Sequence, residues 1–298
     1  MEKIKIVLDT DMGSDCDDAG ALAVLHNLAK IGEAEVLAAV HCCSEISGAY
    51  AVKSINQWYG GQDIPVGRYD KKKFLEGGKY SKYTKPIMEK YLQTHAELKF
   101  ESATRVLRKA LSENDDVTIV VIGMQNNIAE LLKSEADDIS MYSGLELVEK
   151  SVKKMYVMGG NFADLTCAEY NIKCDIESAR FVSENFPRPI VYCGFETGCN
   201  IVTGKQLKDA DENHPVRLAY YLHGKHLDKN QMLRFSWDPI TVYCAVRQNN
   251  PFYKESKKLK IGFNKNGCVR LGEGGKDCYI IQNAKDAEIT NEIDRFLK

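Results

Sequence analysis

Short apolar segments alternate with segments of helical periodicity along the chain up to about residue 200. The apolar segments are rich in Val, Ile and Ala and are bounded by turn residues, which is typical of buried strands. The predicted strands are IKIVLDTD, EVLAAVHCC, DIPVG, VTIVVIG, VKKMYVMGG and RPIVYCGF. The predicted helices between them are DDAGALAVLHNLAKIG, SGAYAVKSINQWYG, SATRVLRKALSEN, NNIAELLKSEA and DIESARFVSENF.

The order of these elements predicts the fold class. Continuous apolar strands separated by helices indicate a mostly parallel sheet with helices on both faces. Right-handed crossovers then give a doubly wound, Rossmann-like α/β fold. Beyond about residue 200 the chain is more polar: DPITVYCAVRQ predicts a helix, residues 252–284 predict a small antiparallel unit, and AEITNEIDRFLK predicts a terminal helix. Because no linker or repeat interrupts the pattern, we expect a single domain over residues 1–298.

Composition and charge exclude several classes of protein. With 298 residues, of which 44% are hydrophobic, the chain can bury a large core. The formal net charge of −2 provides no basic field for nucleic acid. No apolar segment has the length of a membrane span, and the N-terminus has no signal-peptide pattern, so we expect a cytoplasmic protein. The ten cysteines include no CxxC pair, and we expect most of them to be reduced.

The segment LDTDMGSDCDDAGAL, residues 8–22, carries five aspartates directly after the first predicted strand. A solvated acidic turn is the usual role of a charge run, but this one lies between a buried strand and a buried helix. An EF-hand loop needs Gly at its sixth position and Glu at its twelfth, and both are missing. A phosphate-binding turn is rich in glycine, and aspartates repel phosphate. Carboxylate oxygens favour Ca²⁺ or Mg²⁺, so the segment predicts a hard-cation site.

Two further polar segments also follow predicted strands. GMQNN (123–127) comes after VTIVVI, and MGGN (158–161) comes after KKMYV. In parallel sheets, ligands bind outside the carboxyl ends of the strands. We therefore expect both segments to meet the aspartates at one edge of the sheet.

Four segments together resemble the nucleoside hydrolase family, the inosine-uridine preferring ribohydrolases. DTDMGSDCDDAGAL is similar to the family's N-terminal signature, in which an Asp-x-Asp turn and a Gly precede an Asp-Asp-Ala helix start. VIGMQNNIAELL (121–132), VMGGNFADLTCAEYNIKCDIESAR (157–180) and SWDPITVYCAV (236–246) resemble later family segments in the same order. The resemblance covers about residues 4–246 and implies a Ca²⁺-dependent enzyme that releases base and ribose from nucleosides for salvage.

The resemblance also implies roles for particular residues. Ca²⁺ would be bound by three carboxylates and one backbone carbonyl, those of Asp11, Asp18, Asp238 and Asn126. The ribose would lie against Asp17, Met158, Glu169 and Asn171. Cleavage of an N-glycosidic bond passes through an oxocarbenium-like state, whose positive charge the carboxylates would stabilise. Asp11 would accept the proton of the attacking water.

The sequence departs from the family pattern at three places. Asp15 is an additional aspartate in the first turn and could take over one of the roles assigned above. Ser44 and Glu45 follow the second strand, where the family often has Gly-Asn. Trp237 precedes the late aspartate, where the inosine-uridine preferring members have a His that protonates the leaving base.

The Trp-Asp pair resembles the purine-specific branch of the family, so the resemblance favours purine nucleosides. An indole N–H is a very weak acid, but the ring can stack on a base. The alternative is that Trp237 packs in the core. Tyr80 or Tyr83 could provide a second aromatic contact, and His223 or His226 could replace the missing acid.

Two other functions remain open at this point. A nucleoside- or sugar-binding protein could keep the cation site and lose turnover, and a related hydrolase could act on another N-ribosyl compound. A phosphohydrolase with an aspartyl nucleophile also has Asp-x-Asp after its first strand, but AEYN and SWDP have no role in that chemistry. The resemblance suggests a homodimer or homotetramer. We expect the partner to be a small-molecule nucleoside, not nucleic acid or a membrane.

Overall fold

The computed structural model describes residues 3–224 and 232–298. The strands are β1 (Ile4–Thr10), β2 (Ala34–His41), β3 (Val66–Arg68), β4 (Glu101–Ser102), β5 (Val117–Val121), β6 (Val152–Met158), β7 (Ile190–Cys193), β8 (Val202–Thr203), β9 (Arg234–Phe235), β10 (Tyr253–Glu255), β11 (Leu259–Phe263) and β12 (Val269–Gln282). The helices are α1 (Asp17–Lys30), α2 (Ile46–Trp58), α3 (Thr84–Leu92), α4 (Ala103–Ser112), α5 (Asn126–Lys133), α6 (Gly144–Ser151), α7 (Tyr170–Cys174), α8 (Ile176–Asn185), α9 (Pro215–Gly224), α10 (Trp237–Val246) and α11 (Asp286–Asp294).

In the described ranges, ten strands form one sheet in the order β10-β12-β7-β6-β5-β1-β2-β3-β4, with β11 paired to β12. All neighbours from β12 to β4 are parallel, whereas β10 and β11 run antiparallel to β12. The chain continues from β1 to β2 on one side and reaches β5 on the other side later. The strand order therefore reverses at β1, which is where open α/β sheets bind their ligands. The predicted doubly wound α/β fold is confirmed.

Both faces of the sheet are covered, which explains why its strands are continuously apolar. Successive side chains of a strand point to opposite faces. Ile6 and Leu8 of β1 belong to a core layer with α1, α2, α9, α10 and α11. Val7 belongs to the opposite layer, with α4, α5, α6 and α8. Since both faces are buried, the strand shows no alternation of polar and apolar positions.

Several elements differ from the sequence prediction. The strand predicted at DIPVG begins later, at Val66, because Pro65 has no N–H to donate to a ladder. Residues 252–284 form the predicted antiparallel stretch, but it is joined to the main sheet, since β12 also pairs in parallel with β7. The polar stretch after residue 200 forms α9 and a two-stranded ribbon of β8 and β9. His226 lies outside the described residues.

The prediction of a single domain over residues 1–298 stays a prediction. The cysteines all lie in the described ranges and none of them is paired there. Within the part of the chain that is described, no helix is both long and apolar enough to cross a membrane.

Candidate active site

A cavity of about 360 Å³ lies at the carboxyl ends of the central strands. Asp11, Ile122, Met158 and Phe195, which line it, come at or just after the ends of β1, β5, β6 and β7. Its volume is typical of a small-molecule site. The described residues that line it are Asp11, Ser14, Asp15, Asp17, Asp18, Ile122, Met158, Glu169, Tyr170, Asn171, Phe195, Arg234, Trp237 and Asp238. The segments after the strands therefore meet at one edge of the sheet, as the topology requires.

The aspartate turn, residues 9–18, connects β1 to α1 and fixes its carboxylates by side-chain hydrogen bonds. The hydroxyl of Thr10 donates to Asp18, and the hydroxyl of Ser14 donates to Asp11. Because these donors lie on the same turn, each carboxylate is oriented before any ligand binds. A preorganised acidic site costs less reorganisation on binding than a flexible one.

The shape of the aspartate turn depends on Gly13 and on the loop packed over it. Gly13 has a φ of +128°, and a Cβ there would lie 2.2 Å from the carbonyl oxygen of Tyr80. The hydroxyl of Tyr83 is buried and donates to the backbone carbonyl of Asp15 at 2.6 Å. Tyr80 and Tyr83 therefore support the turn, and neither is among the described residues that line the cavity.

Three carboxylates form a tight cluster at the floor of the cavity. Oxygens of Asp17, Asp18 and Asp238 lie within 4.8 Å of one another, and each residue is at most 5% exposed. The backbone N–H of Asp238 donates to Oδ2 of Asp17 at 3.2 Å. Oδ2 of Asp18 is buried and has no hydrogen-bond partner among the described residues. Buried charges are normally paired or bind a metal, so an unpartnered carboxylate oxygen in an oxygen-rich site fits a hard cation.

Burial and mutual repulsion both raise the pKa values of these carboxyl groups. Burial raises the pKa of Asp17, Asp18 and Asp238 well above the usual value, and nearby carboxylates raise each pKa further. Burial also raises the pKa of Asp11 to about 6, and the charge of Asp15 adds to this effect. A bound cation would reverse the shift, because it favours the ionised carboxylates.

The structure groups the aspartates differently from the assignment that the resemblance implies. Asp17 joins Asp18 and Asp238 in the cluster, although the ribose was its expected partner. Asp11 lines the same cavity but is not part of that cluster. The metal role of Asp11 and the ribose role of Asp17 both stay predictions.

The segment after β5 lies directly against the aspartate turn. A Cβ at Gly123 would be 2.7 Å from the backbone nitrogen of Asp11, so this approach requires glycine. Asn126 is buried at the start of α5, and its Nδ2 donates to the carbonyl oxygen of Cys42 at 2.9 Å. This bond fixes the start of α5 beside the end of β2. The expected carbonyl contact from Asn126 to a cation stays a prediction.

The segment after β6 forms another wall of the cavity. Glu169 caps α7 and accepts hydrogen bonds from the backbone N–H groups of Asn171 at 2.9 Å and Ile172 at 3.2 Å. Nδ2 of Asn171 lies 3.3 Å from the carbonyl oxygens of both Met158 and Ile122, which ties this wall to β5 and β6. Burial raises the pKa of Glu169 to about 7. These three predicted ribose contacts, Met158, Glu169 and Asn171, therefore lie together.

Two aromatic side chains, Phe195 and Trp237, also line the cavity. The rings of Phe195 and Trp237 stack with centroids 5.6 Å apart, and the indole N–H donates to the carbonyl oxygen of Phe195 at 2.7 Å. The ring of Phe235 is tilted against Trp237 at a centroid distance of 5.3 Å. Trp237 is half-buried, so it contacts the core on one side and the cavity on the other.

Arg234 is a cavity-lining residue that could not be identified from the sequence. Its Nε lies 2.7 Å and 3.0 Å from the two carboxylate oxygens of Asp15, and its Nη2 bonds to Asp15 as well. Nε2 of His223 lies 3.3 Å from Oδ1 of the same carboxylate. Asp15 thus pairs with basic groups from a distant part of the chain, and its charge also raises the pKa of Asp17 in the neighbouring carboxylate cluster. A single basic residue shortly before SWDP does not by itself indicate such a pair.

Comparison with known proteins identifies the family. The family model described as inosine-uridine preferring nucleoside hydrolase matches residues 6–295. The chain belongs to the nucleoside hydrolase family. No curated protein matches it by sequence. Members of the family are metal-dependent, and the buried carboxylate cluster of this nucleoside hydrolase homologue could bind a metal.

Solved structures share the whole fold at low sequence identity. The inosine-uridine preferring nucleoside hydrolase from Bacillus anthracis is 16% identical, with 100% of this chain and 99% of that chain covered and a TM-score of 0.73. The purine-preferring ribonucleoside hydrolase from Gardnerella vaginalis is 15% identical, with 98% of each chain covered and a TM-score of 0.73. The type III effector protein XopQ, complexed with adenosine diphosphate ribose, is 15% identical, with 100% and 94% covered and a TM-score of 0.72. Family and fold together support hydrolysis of the N-glycosidic bond of nucleosides.

Proposed function

We propose that this nucleoside hydrolase homologue cleaves purine ribonucleosides with the help of Ca²⁺ and releases the free base and ribose. The observation that carries the proposal is one cavity lined by two chemically different groups of side chains. The buried carboxylate cluster of Asp17, Asp18 and Asp238 and the aromatic ring of Trp237 both line it. A nucleoside also has two chemically different parts, a polyhydroxylated sugar and a flat base.

The carboxylate cluster supports the choice of Ca²⁺ as the cation. Asp18 and Asp238 would hold the ion together with Asp11 or Asp17 and the carbonyl of Asn126. Oxygen ligands in an irregular arrangement suit Ca²⁺, whereas Mg²⁺ demands a near-ideal octahedron. When bound, the ion supplies Lewis acidity and a fixed positive charge among the carboxylates.

The chain's own residues account for the sugar half of the reaction. Glu169 and Asn171 are held by the bonds described above, so they can orient the ribose without rearranging. As the glycosidic bond breaks, positive charge develops on the sugar and the surrounding carboxylates stabilise it. Asp11 accepts the proton of the attacking water, and its raised pKa makes it a stronger base than an exposed aspartate.

The aromatic rings that line the cavity support the preference for purines. A purine has a larger ring surface than a pyrimidine and gains more from stacking on Trp237 and Phe195. Contacts of this kind are worth about 1–3 kcal/mol per base. That gain corresponds to roughly a tenfold to hundredfold difference in binding.

The test is base release from inosine, adenosine, guanosine, uridine and cytidine, measured by chromatography. We expect release from the purine nucleosides, loss of activity after treatment with a calcium chelator, and recovery when Ca²⁺ is added back. Equal rates on purines and pyrimidines would contradict the stacking role. Release that is insensitive to the chelator would contradict the cation site.

One observation favours a second function, binding of a nucleoside or sugar ligand without turnover. Of the described residues that line the cavity, none is a histidine, and the indole N–H of Trp237 is already used by the carbonyl of Phe195. Neither a histidine nor this indole is therefore available among those residues to protonate the leaving base. Calorimetric binding of inosine with no release of hypoxanthine over hours would favour this function over hydrolysis.

We further propose that the protein acts in the cytoplasm on free nucleosides, as a homodimer or homotetramer. The modest net charge supports a small-molecule partner over nucleic acid. Sedimentation velocity of the purified chain measures the assembly directly, and a monomer at micromolar concentration would contradict it.

A further inference from the structure

Arg234 is the one cationic side chain among the described residues that line the cavity. Every other charged group there is a carboxylate; these are Asp11, Asp15, Asp17, Asp18, Glu169 and Asp238. The proposed function explains why carboxylates surround the sugar. It gives no role to the guanidinium of Arg234, which lines the same cavity and is only partly exposed.

The proposed reaction separates charge in a way that would use such a cation. When the bond between C1′ and the base nitrogen breaks, its electron pair leaves with the base, so the sugar becomes positive and the base negative. The water oxygen then bonds to C1′, and Asp11 takes the water's proton. The base nitrogen takes a proton from solvent afterwards. Carboxylates stabilise the sugar cation but repel the base anion.

The location of Arg234 matches the negative end of this charge separation. Arg234 lies in the ribbon of β8 and β9, where it pairs with Thr203, three residues before Trp237. Its Cζ is 5.6 Å from the ring centroid of Trp237 and 5.4 Å from that of Phe235. The cation therefore lies beside the aromatic rings, one of which, that of Trp237, is the surface on which the proposed function stacks the base.

Asp15 holds the guanidinium in place and leaves part of it for a ligand. The ion pair uses Nε and Nη2 of Arg234, and no hydrogen bond within the described residues uses Nη1. The arginine side chain is only 21% exposed, so water screens its charge weakly. A fixed, partly desolvated donor can stabilise developing charge without reorganising during the reaction.

We propose that Arg234 stabilises the negative charge on the departing base. The role rests on the proposed hydrolase function and extends it, because it names a group that assists leaving-group departure, and none of the described residues that line the cavity is a histidine. A guanidinium stays protonated in proteins, so Arg234 acts by its charge and hydrogen bonds and not as a proton donor.

The test compares two substrates whose leaving groups differ in their stability as anions. Inosine expels a poor leaving group, whereas 4-nitrophenyl β-D-ribofuranoside expels a phenolate that is a stable anion. In Arg234→Gln, we expect kcat/KM for inosine to fall about 10²-fold, the usual effect of removing one charge-stabilising donor. We expect kcat/KM for the nitrophenyl riboside to change little, which also shows that the variant is folded. Arg234→Lys keeps the charge and should lose less on inosine than Arg234→Gln.

The outcomes separate this role from a structural one. Equal losses on both substrates, or no loss on either, would overturn the role of Arg234 in leaving-group departure. If Arg234→Gln does not fold, Arg234→Lys decides in the same way, since a loss confined to inosine supports the role and an equal loss overturns it. If the unaltered protein releases nothing from either substrate, the proposed hydrolase function fails, and the role of Arg234 fails with it.

Discussion

Removing the cation is expected to destabilise the protein most at high pH, because the carboxylate cluster then has no counter-charge. Oxygens of Asp17, Asp18 and Asp238 lie within 4.8 Å of one another. Two unit charges at that distance repel by about 3 kcal/mol at an effective dielectric constant of about 20. The folded, calcium-free protein can lower this repulsion only by taking up protons.

The pKa of Asp11 determines whether the free energy of unfolding rises or falls with pH, and over which range of pH. Burial raises it from 3.8 to about 6 in the folded protein, so between these values the folded state binds more protons than the unfolded state. The free energy of unfolding therefore falls as pH rises through this window and stays low above it. A shift of about two pKa units corresponds to about 3 kcal/mol. The pKa values of Asp17, Asp18 and Asp238 are raised too, so their effects have the same sign.

Added Ca²⁺ should raise the free energy of unfolding, because it neutralises the clustered carboxylates. An ion present at 100 times its Kd stabilises the folded state by about 2.7 kcal/mol. For a chain of this length, about 1 kcal/mol shifts Tm by about 2 °C, so calcium should raise Tm by about 5 °C at pH 8. The shift should be smaller at pH 5, because protons compete with the ion for the same oxygens.

The assay is thermal unfolding of protein stripped of calcium and dialysed, at pH 5 and pH 8, with and without added CaCl₂. Asp18→Asn should abolish the calcium shift and raise the Tm of the calcium-free protein at pH 8. Asp115→Asn is the matched control, since Asp115 is exposed and precedes β5 at the opposite edge of the sheet. The reasoning is refuted if the calcium-free protein becomes more stable as pH rises from 5 to 8, or if Asp18→Asn retains the full calcium shift.

Three further substitutions test the walls of the cavity. Trp237→Ala should raise KM for inosine by about 10- to 100-fold and affect uridine less, because it removes a stacking surface; equal effects in steady-state assays would argue against stacking. Glu169→Gln should lower kcat/KM for inosine by about 10²-fold, as it removes a carboxylate that the proposed function places at the sugar. Its Tm should stay close to that of the unaltered protein, and a large drop in Tm would assign Glu169 a structural role. Gly123→Ala should weaken Ca²⁺ binding by about 10-fold or more, since its Cβ would lie 2.7 Å from the backbone nitrogen of Asp11; an unchanged Kd in calorimetry would contradict this.

The central fold could be predicted because its signals are local. β1, β5 and β6 are continuous apolar segments, and a strand buried on both faces has that pattern whatever its neighbours are. The attachment of β12 to the sheet could not be predicted. It depends on the parallel pairing of Cys278 with Val191, and no turn or periodicity in either segment encodes that distant partner.

The same distinction applies to the candidate site. Asp11, Asp17 and Asp18 could be found from sequence because five aspartates in one turn need an explanation. Asp238 and Glu169 were found only through the resemblance to a family. The pair of Asp15 with Arg234 was missed, because its members are 219 positions apart and a single arginine in a polar segment carries no signal of its own. An ion pair between a turn and a distant strand is a property of the assembled fold.

The first turn of α10 provides both an aromatic side chain and a carboxylate to the cavity. Trp237 and Asp238 are consecutive, yet the first contacts Phe195 and the second belongs to the carboxylate cluster. Adjacent helical residues point in different directions. The placement of this one helical turn therefore positions both the indole and the carboxylate. Pro239 fits here because a proline in the first turn sacrifices no helical hydrogen bond. If the proposed function holds, a substitution at Trp237 should change base preference while Asp238 keeps its place in the carboxylate cluster.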